Sequence, residues 1–534
     1  MGTHTYDEFP YRCVIRPDIQ PNQLATLATL FNLQPPAVPT SRILELGCGN
    51  GINLIAIAQS FPQTHCVGID YSAQQIADGQ HLIEEIGLSN ITLQHLDILA
   101  VTTQLGNFDY IISHGVYSWV PEPVREKILR ICTQQLSPSG IAYISYNTYP
   151  GWYFSQMQRE MFLYFHAQQF QDTLNIRPAE TKQLLSLALA LNQTQPGAFT
   201  SLLQEHWERF AKPDLENYLR HDLLESTNQP FYFYQFIQKL RQYNLEYITD
   251  VHFRDGGFSH HPLLNSPAIT QQLFKNDFLA QEQYLDFFGN RKLRMSLFGH
   301  QGLTVKRELD PKLLPKFYVA MNSGWSAVTT SQQEVTQSLT LQKIARQPVT
   351  ITTPWTQLAI GHLLQKHPRN LAFNELLQSV LRNHFQLTSR DNESELTATL
   401  AVELLELYVQ EVIELSVLPT PGFSTTINDY PMVSPLARWQ AAQGQTTIVN
   451  VLGQLGQLDE FTCQLLPYLD GNHSRLQLLD LMAEWVVNHN LTVMVGAEEV
   501  AFSQLPTTEV VQILEWYLND LLTTIAKHAL LVDS

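Results

Sequence analysis

A chain of 534 residues, 44% of them hydrophobic, is long enough for roughly three or four domains with sizeable cores. No run approaches the roughly 20 apolar residues that a membrane span needs, so no span is expected. A formal net charge of −18 argues against a nucleic-acid substrate, because phosphate binding draws on clustered Lys and Arg and the dense basic run here is only Arg291, Lys292 and Arg294.

The first residues, Met1 to Pro10, have neither a basic start nor an apolar centre, so no signal peptide is expected. Five cysteines (13, 48, 66, 132 and 463) are scattered, with no C-x-x-C spacing. They read as reduced, mostly buried thiols in a cytoplasmic protein. His252, His260 and His261 invite a metal, but no second ligand pair is spaced to match, and a surface loop is the better reading. No metal is expected.

The first strong signal is Arg42-Ile-Leu-Glu-Leu-Gly-Cys-Gly-Asn-Gly51, a buried strand running into a glycine loop that opens a helix over 52–60. Glycines at 47, 49 and 51 let the backbone pass close to a ligand. The helix start offers unpaired N–H groups and a positive dipole end. A dinucleotide loop, G-x-G-x-x-G, would need its third glycine at 52. That position is Ile52, and Glu45 stands two residues before the first glycine.

Further strands follow at 66–70, 91–97, 108–113 and 140–145, separated by helical patterns at 74–86 and 123–135. Alternation of this kind predicts a parallel sheet covered by helices on both faces, with ligands at the carboxyl ends of the strands. Asp70, Asp97 and His114 all fall at such ends. Plainer roles exist for each: the glycine loop as a tight turn, and Asp70 as a helix-start acid with Ser72 as the cap.

Beyond the fifth strand, helical patterns cover 154–171, 179–192, 200–212 and 214–226, then 232–243. Strands at 245–251 and 292–300, with a helix over 267–289 between them, are expected to close one edge of the sheet as an antiparallel pair. Residues 152–228 would then be a helical insertion acting as a lid, or else a separate helical domain. Short helices at 355–366 and 373–385, a helical stripe over 393–415, a proline-rich connector at 418–435 and a final helix over 508–531 make the rest α-rich. The helix–turn–helix pattern near 461–487 suggests a winged-helix-like module, for protein contact or homodimerisation rather than DNA.

The E-x-G-x-G-x-G pattern of Glu45, Gly47, Gly49 and Gly51 resembles motif I of class I S-adenosylmethionine (SAM) methyltransferases. More widely, Tyr6-Asp-Glu-Phe-Pro-Tyr11, His114-Gly-Val-Tyr-Ser-Trp-Val-Pro121, the stretch from Ser145 to Tyr153, Tyr218 to Glu225 and Gln283 to Arg294 carry a resemblance over nearly the full length. The chain is similar to bacterial methyltransferases with a methyltransferase regulatory domain, which include protein-lysine methyltransferases acting on outer-membrane proteins.

That resemblance implies a Rossmann-like α/β fold of seven strands with a helical insertion and a winged-helix-like C-terminal domain. The element pattern divides the chain into a SAM-binding core (1–151), the insertion (152–228), a regulatory segment supplying the last two strands (229–310) and the α-rich domain (335–534), while the resemblance implies a regulatory domain near 215–300. The resemblance also implies SAM held by Tyr11, Glu45, Gly47, Cys48, Gly49 and Gly51, by Asp70 and Tyr71, by Asp97 and Ile98, and beside His114. The acceptor side would use His114, Tyr117, Trp119, Tyr146 and Trp152, with further aromatics at Tyr6, Tyr149 and Tyr153. His114 reads equally as a general base and as a hydrogen-bond donor beside SAM. Protein-lysine N-methylation is the first expectation, a small-molecule N- or O-methyl transfer the second, and a non-catalytic SAM-binding regulator the third. Asn147-Thr-Tyr-Pro150 lacks adjacent prolines and follows the fifth strand, so nucleobase or glutamine methylation is set aside.

Overall fold

The computed structural model of the chain describes residues 10–169, 178–193, 197–210, 219–223, 225, 227–254, 274–275, 277–327, 338–385, 393–495 and 498–532. Its centre is a seven-stranded sheet of β1 (Arg42–Leu46), β2 (His65–Asp70), β3 (Ile91–His95), β4 (Phe108–Ser113), β5 (Leu136–Asn147), β6 (Leu245–Asp250) and β7 (Leu293–His300). The order is β3-β2-β1-β4-β5-β7-β6. Strands β1 to β5 pair in parallel, while β7 runs antiparallel to both β5 and β6. The two late segments therefore close the edge as the pattern predicts.

Strand β1 is buried along Ile43–Leu46, and its side chains alternate between two cores. Ile43 packs with the helices on one face, and Leu44 and Leu46 with those on the other. A strand covered on both faces has no solvated side, which is why its sequence reads as continuous hydrophobics. The strand order reverses between β1 and β4, so the loops leaving those two strands part and open a crevice.

Helices α1 (Pro21–Leu30), α2 (Ile52–Ser60), α3 (Ala73–Ile86) and α4 (Glu122–Gln135) flank these strands. Helix α1 has no counterpart among the elements expected from sequence; Leu24, Leu27 and Ala28 on it are fully buried or nearly so. Helix α3 starts where Ser72 Oγ accepts from the Gln75 amide and ends at Gly87 in the left-handed region, a standard cap at each end. The insertion contributes α5 (Trp152–Gln169), α6 (Pro178–Gln193) and α7 (Ala198–Phe210), with a small core of Phe162, Leu185, Leu219 and Leu223. Of the helix expected over 214–226, the described part is a π-helical turn at Leu219–Leu223, and most of the rest lies outside the described residues. Helices α8 (Phe233–Gln242) and α9 (Phe278–Gly289) lead into β6 and β7. The His260 and His261 loop and Tyr6 lie outside the described residues.

Most of the buried residues after β7 belong to one of two large cores. Helices Pro354–Lys366, Phe373–Phe385 and Glu393–Val409 share the core on the α1 side of the sheet. The stripe expected to stay helical to 415 stops at Val409; Glu411 takes φ +58°, and Ile413–Ser416 is a strand paired with Tyr318–Met321. Alternation of Ile413 and Leu415 serves a strand as well as a helix end, and the distant partner decides it. Beyond the connector, helices Pro435–Ala442, Glu460–Leu465, Arg475–Asn488 and Thr507–Lys527 enclose a separate core. A hairpin of Thr492–Val495 and Glu498–Ala501 follows the third of these, in the position of a wing. Among the described residues no helix is long and apolar enough to cross a membrane.

Candidate active site

The crevice is floored by the loop from Gly47 to Gly51. Gly47 has φ +75°, and a Cβ there would stand 2.4 Å from Val116 Cγ2 in the loop after β4. At Gly49, φ +56°, a Cβ would stand 2.2 Å from Cys13 Sγ. Only glycine meets both the backbone angle and the close approach. The amides of Gly47 and Cys48 donate to the Ile69 carbonyl at 2.9 and 3.0 Å. The Gly49 amide donates to Asp70 Oδ2 at 2.8 Å, and the Ser72 amide to Asp70 Oδ1 at 2.9 Å. The carboxylate at the end of β2 thus pins the loop that leaves β1, with Gly51 as the N-cap of α2.

Glu45 is buried on β1, with Oε1 accepting from Asn53 Nδ2 at 3.3 Å. Among the described residues its Oε2 has no hydrogen-bond partner. Burial pushes its carboxyl up to about 8; Asn53 opposes this, and the charge of Asp70 adds to it. Burial likewise raises the Asp70 carboxyl, against the amides that bond it. Two carboxyl groups held in an apolar crevice beside a helix N-terminus call for a cationic ligand that restores their solvation. The ammonium and sulfonium of SAM are such cations.

The outer residues are spread along the same strand ends. Asp97 Oδ1 accepts from the Leu99 amide at 2.8 Å and caps a 3-10 turn that begins at Ile98, itself half-buried. Tyr71 is exposed and edge-on to His95, with ring centroids 6.4 Å apart. Tyr11, also exposed, stands edge-on to His221 at 5.4 Å. Cys48 is a buried thiol within the loop.

On the acceptor side, His114 leaves the end of β4 with Nδ1 2.8 Å from the Tyr143 hydroxyl. Trp119 and Trp152 meet edge to face at 5.7 Å, joining the loop after β4 to the start of α5. Tyr117 and Tyr146 are placed elsewhere: each is 1% exposed and packs against Phe231 and Phe236 in the core beneath α8. Neither lines the crevice. Outward from the two tryptophans runs a rim of rings. Tyr149 stacks on Tyr153 at 4.4 Å, the Tyr153 and Tyr232 hydroxyls are 2.6 Å apart, and Tyr232 adjoins Tyr234 and Phe287.

Several residues of the site are not among those expected from sequence. Asn53 has a local signal, as a single amide in the apolar run Ile52–Ala58, and it links Glu45 to the Arg16 amide. Cys13, Tyr143 and the Asp18–His252 pair have none, because each reaches the site across the fold. Cys13 Sγ donates to Gln75 Oε1 at 3.2 Å, and Asp18 Oδ2 lies 2.8 Å from Arg16 and 3.2 Å from His252.

Comparison with known proteins places three family models on the chain: "Methyltransferase domain" at 38–206, "Predicted methyltransferase regulatory domain" at 215–300 and "PKMT, C-terminal winged helix domain" at 429–530. The uncharacterized protein RP789 of Rickettsia prowazekii is 30% identical over 535 residues, covering 99% of this chain and 93% of that one. The solved structure of PKMT2 from Rickettsia typhi matches with a TM-score of 0.84 at 25% identity, covering 98% of this chain and 100% of that one. Its complex with AdoHcy matches with a TM-score of 0.83, again at 25% identity and the same coverage.

Proposed function

Since the chain belongs to the class I SAM-dependent methyltransferases that carry a methyltransferase regulatory domain and a PKMT winged helix, with SAM as cofactor, we propose that its methyl acceptor is a lysine side chain of a protein. The observation that carries this reading is the aromatic rim. Tyr153 is 54% exposed and Tyr234 44% exposed, so the rings lie open to solvent beside the crevice instead of closing over it. An open shelf suits a polypeptide, whereas a small acceptor gains most from enclosure.

The chemistry asks little of acid–base groups. An amine lone pair attacks the methyl carbon, the C–S bond breaks, and S-adenosylhomocysteine leaves with a methylated ammonium that later releases its proton to water. The enzyme must align the two reactants and keep the amine neutral. An apolar, aromatic approach past Trp119 and Trp152 favours the neutral amine by desolvation. The same ring faces attract the ammonium before it loses its proton. Helix α5 begins at this rim with Trp152 and Tyr153, and the insertion that it opens would act as the lid. The net charge of −18 favours a basic acceptor segment over an acidic one. The PKMT name of the Rickettsia typhi protein, read as protein lysine methyltransferase, supports the same acceptor.

We place the enzyme in the cytoplasm and assign its winged helix to protein contact, either with a partner or with a second copy. A small-molecule acceptor is the second reading. Purified enzyme given methyl-labelled SAM and a lysate of the source cells separates the two: label in discrete protein bands, recovered on lysine after hydrolysis, is expected. Label confined to the small-molecule fraction would overturn the lysine assignment.

A further inference from the structure

We propose that residues Tyr11 to Arg16 form a strap that closes on the cofactor loop, latched to the insertion, and that it lifts for SAM to enter and S-adenosylhomocysteine to leave. The strap's role depends on SAM as the cofactor and not on the nature of the acceptor, so it goes beyond the reading above.

The strap is laid directly on the glycine loop. Cys13 Sγ stands 2.2 Å from the point that a Cβ on Gly49 would occupy, and it donates to Gln75 Oε1 at 3.2 Å on the first turn of α3. The close approach that the glycine permits is made here by the thiol, so a ligand lying on the loop has the strap as its neighbour. Burial pushes that thiol up to about 12; the Asn50 amide opposes this, and the charges of Asp70 and Glu45 add to it. Cys13 thus feels both carboxyl groups of the site. Two residues earlier, Tyr11 stands edge-on to His221 in the π-helical turn Leu219–Leu223, with ring centroids 5.4 Å apart. Arg159 of α5 holds that turn, donating to the Leu223 carbonyl at 2.8 Å. The strap therefore bridges the glycine loop and the insertion.

Its two ends are held unequally. Ile15 is 3% exposed within the core, and the Arg16 amide donates to Asn53 Oδ1 at 3.1 Å. Asn53 in turn donates to Glu45 Oε1 at 3.3 Å, so the fixed end is bonded through one side chain to a carboxyl of the site. From Pro10 to Val14, among the described residues, no backbone–backbone hydrogen bond is made, and Tyr11 and Val14 are 46% and 51% exposed. A segment with few backbone bonds and little buried apolar surface opens at a small fraction of the global unfolding free energy. Ile15 and Arg16 form the hinge, Cys13 the seat and the Tyr11–His221 contact the latch.

Cys13 also supplies the probe, because it is partly buried while Cys48, Cys66, Cys132 and Cys463 are buried. A thiol reagent attacks the thiolate, and the seated thiol is neutral and shielded, so reaction reports lifting of the strap. The full-length protein is treated with N-ethylmaleimide at neutral pH and the modified cysteine located by peptide mass spectrometry. Reaction at Cys13 is expected, slowed on the order of tenfold by S-adenosylhomocysteine at about ten times its Kd, since only the unliganded fraction opens. His221→Ala removes the latch without touching the loop. It should speed the Cys13 reaction, and by stopped flow both the association and the dissociation of S-adenosylhomocysteine, each roughly two- to tenfold, as loss of one aromatic pair allows. Tyr11→Leu covers the case in which His221→Ala does not fold. No reaction at Cys13, or a rate that S-adenosylhomocysteine leaves unchanged, overturns the proposal. So do wild-type exchange rates in His221→Ala, and so does faster dissociation with unchanged association, the mark of a lost contact with bound cofactor. Neither readout needs a methyl acceptor, so label found only in small molecules would sink the lysine assignment and leave the strap standing.

Discussion

The Gly49 amide donates to Asp70 Oδ2 at 2.8 Å, so the acid expected to bind the cofactor also holds the glycine loop expected to cradle it. Asp70→Ala removes both roles, whereas Asp70→Asn keeps an oxygen that can still accept from one of the two amides. Hydrogen bonds to charged groups contribute about 1.5–3 kcal/mol. SAM affinity by titration calorimetry is expected to fall roughly tenfold to a hundredfold in Asp70→Ala and less in Asp70→Asn. Equal losses in the two variants would deny the carboxylate its positioning role.

Gly47 faces Val116 across the switch point of the sheet, with a Cβ-to-Cγ2 approach of 2.4 Å and φ +75°. Gly47→Ala therefore combines a clash with a strained backbone, at a cost on the order of 1–3 kcal/mol. Adding Val116→Ala relieves the clash and leaves the strain. Urea denaturation should show partial recovery in the double variant; full recovery would mean that the backbone angle costs nothing.

Glu45 gives the ligand-free protein a pH-dependent stability. Its folded carboxyl stands at about 8, above the ordinary glutamate value in the unfolded chain. The folded state thus holds a proton that the unfolded chain has released, and stability falls as pH rises from the ordinary carboxylate range to about 8. A bound ammonium favours the ionised carboxylate, so SAM affinity should rise across the same window. Thermal melts and calorimetry over that range check both slopes, and Glu45→Gln should flatten them. A Glu45→Gln protein with the wild-type slopes would assign the effect to another group.

Arg294 is buried at 0% exposure on β7, bonded to both Asp286 oxygens at 2.8 to 3.1 Å and to Glu282 Oε2 at 2.9 Å, with its guanidinium 4.1 Å from the Phe233 ring centre. It ties α8 and α9 to the strand that closes the sheet. Asp286→Ala leaves a buried cation short of its partner, at a cost of about 3–5 kcal/mol. Replacing the pair with Arg294→Met and Asp286→Leu should recover much of that in denaturant unfolding. A mild Asp286→Ala effect would show that Glu282 and Asp250 suffice.

Tyr153 and Tyr232 share a hydroxyl contact of 2.6 Å on the rim. If the rim receives a polypeptide, Tyr153→Ala should raise KM for the protein acceptor several-fold while leaving SAM affinity intact. A change in SAM affinity instead would move the rim's role to the cofactor.

Much of the sheet and the cofactor loop is legible in the amino-acid sequence. β1, the three glycines and α2 lie in one unbroken stretch, and their meaning depends on neighbours in the chain. The same holds for the strand-end acids Asp70 and Asp97. Helix α1 is not legible, because it is buried almost all round, which erases the amphipathic stripe. Its Thr26 and Thr29 hydroxyls bond back to the Asn22 and Ala25 carbonyls, hiding polar residues inside a packed helix. Ile413–Ser416 reads as the end of a helix because its partner strand, Tyr318–Met321, is remote in the chain.

The sequence by itself determined the class of fold, the glycine loop and the cofactor's chemistry, since each is written in residues that are close along the chain. Only the tertiary structure decided which aromatic rings are taken into the core. Tyr117 and Tyr146 look the same as Trp119 and Trp152 in sequence, yet α8 packs over the first pair, while the second pair meet edge to face between the loop after β4 and the start of α5. The tertiary structure also brought Tyr143 to His114, and Cys13 to Gly49. The orientation of a side chain depends on what packs against it from distant segments, and local pattern carries no record of that.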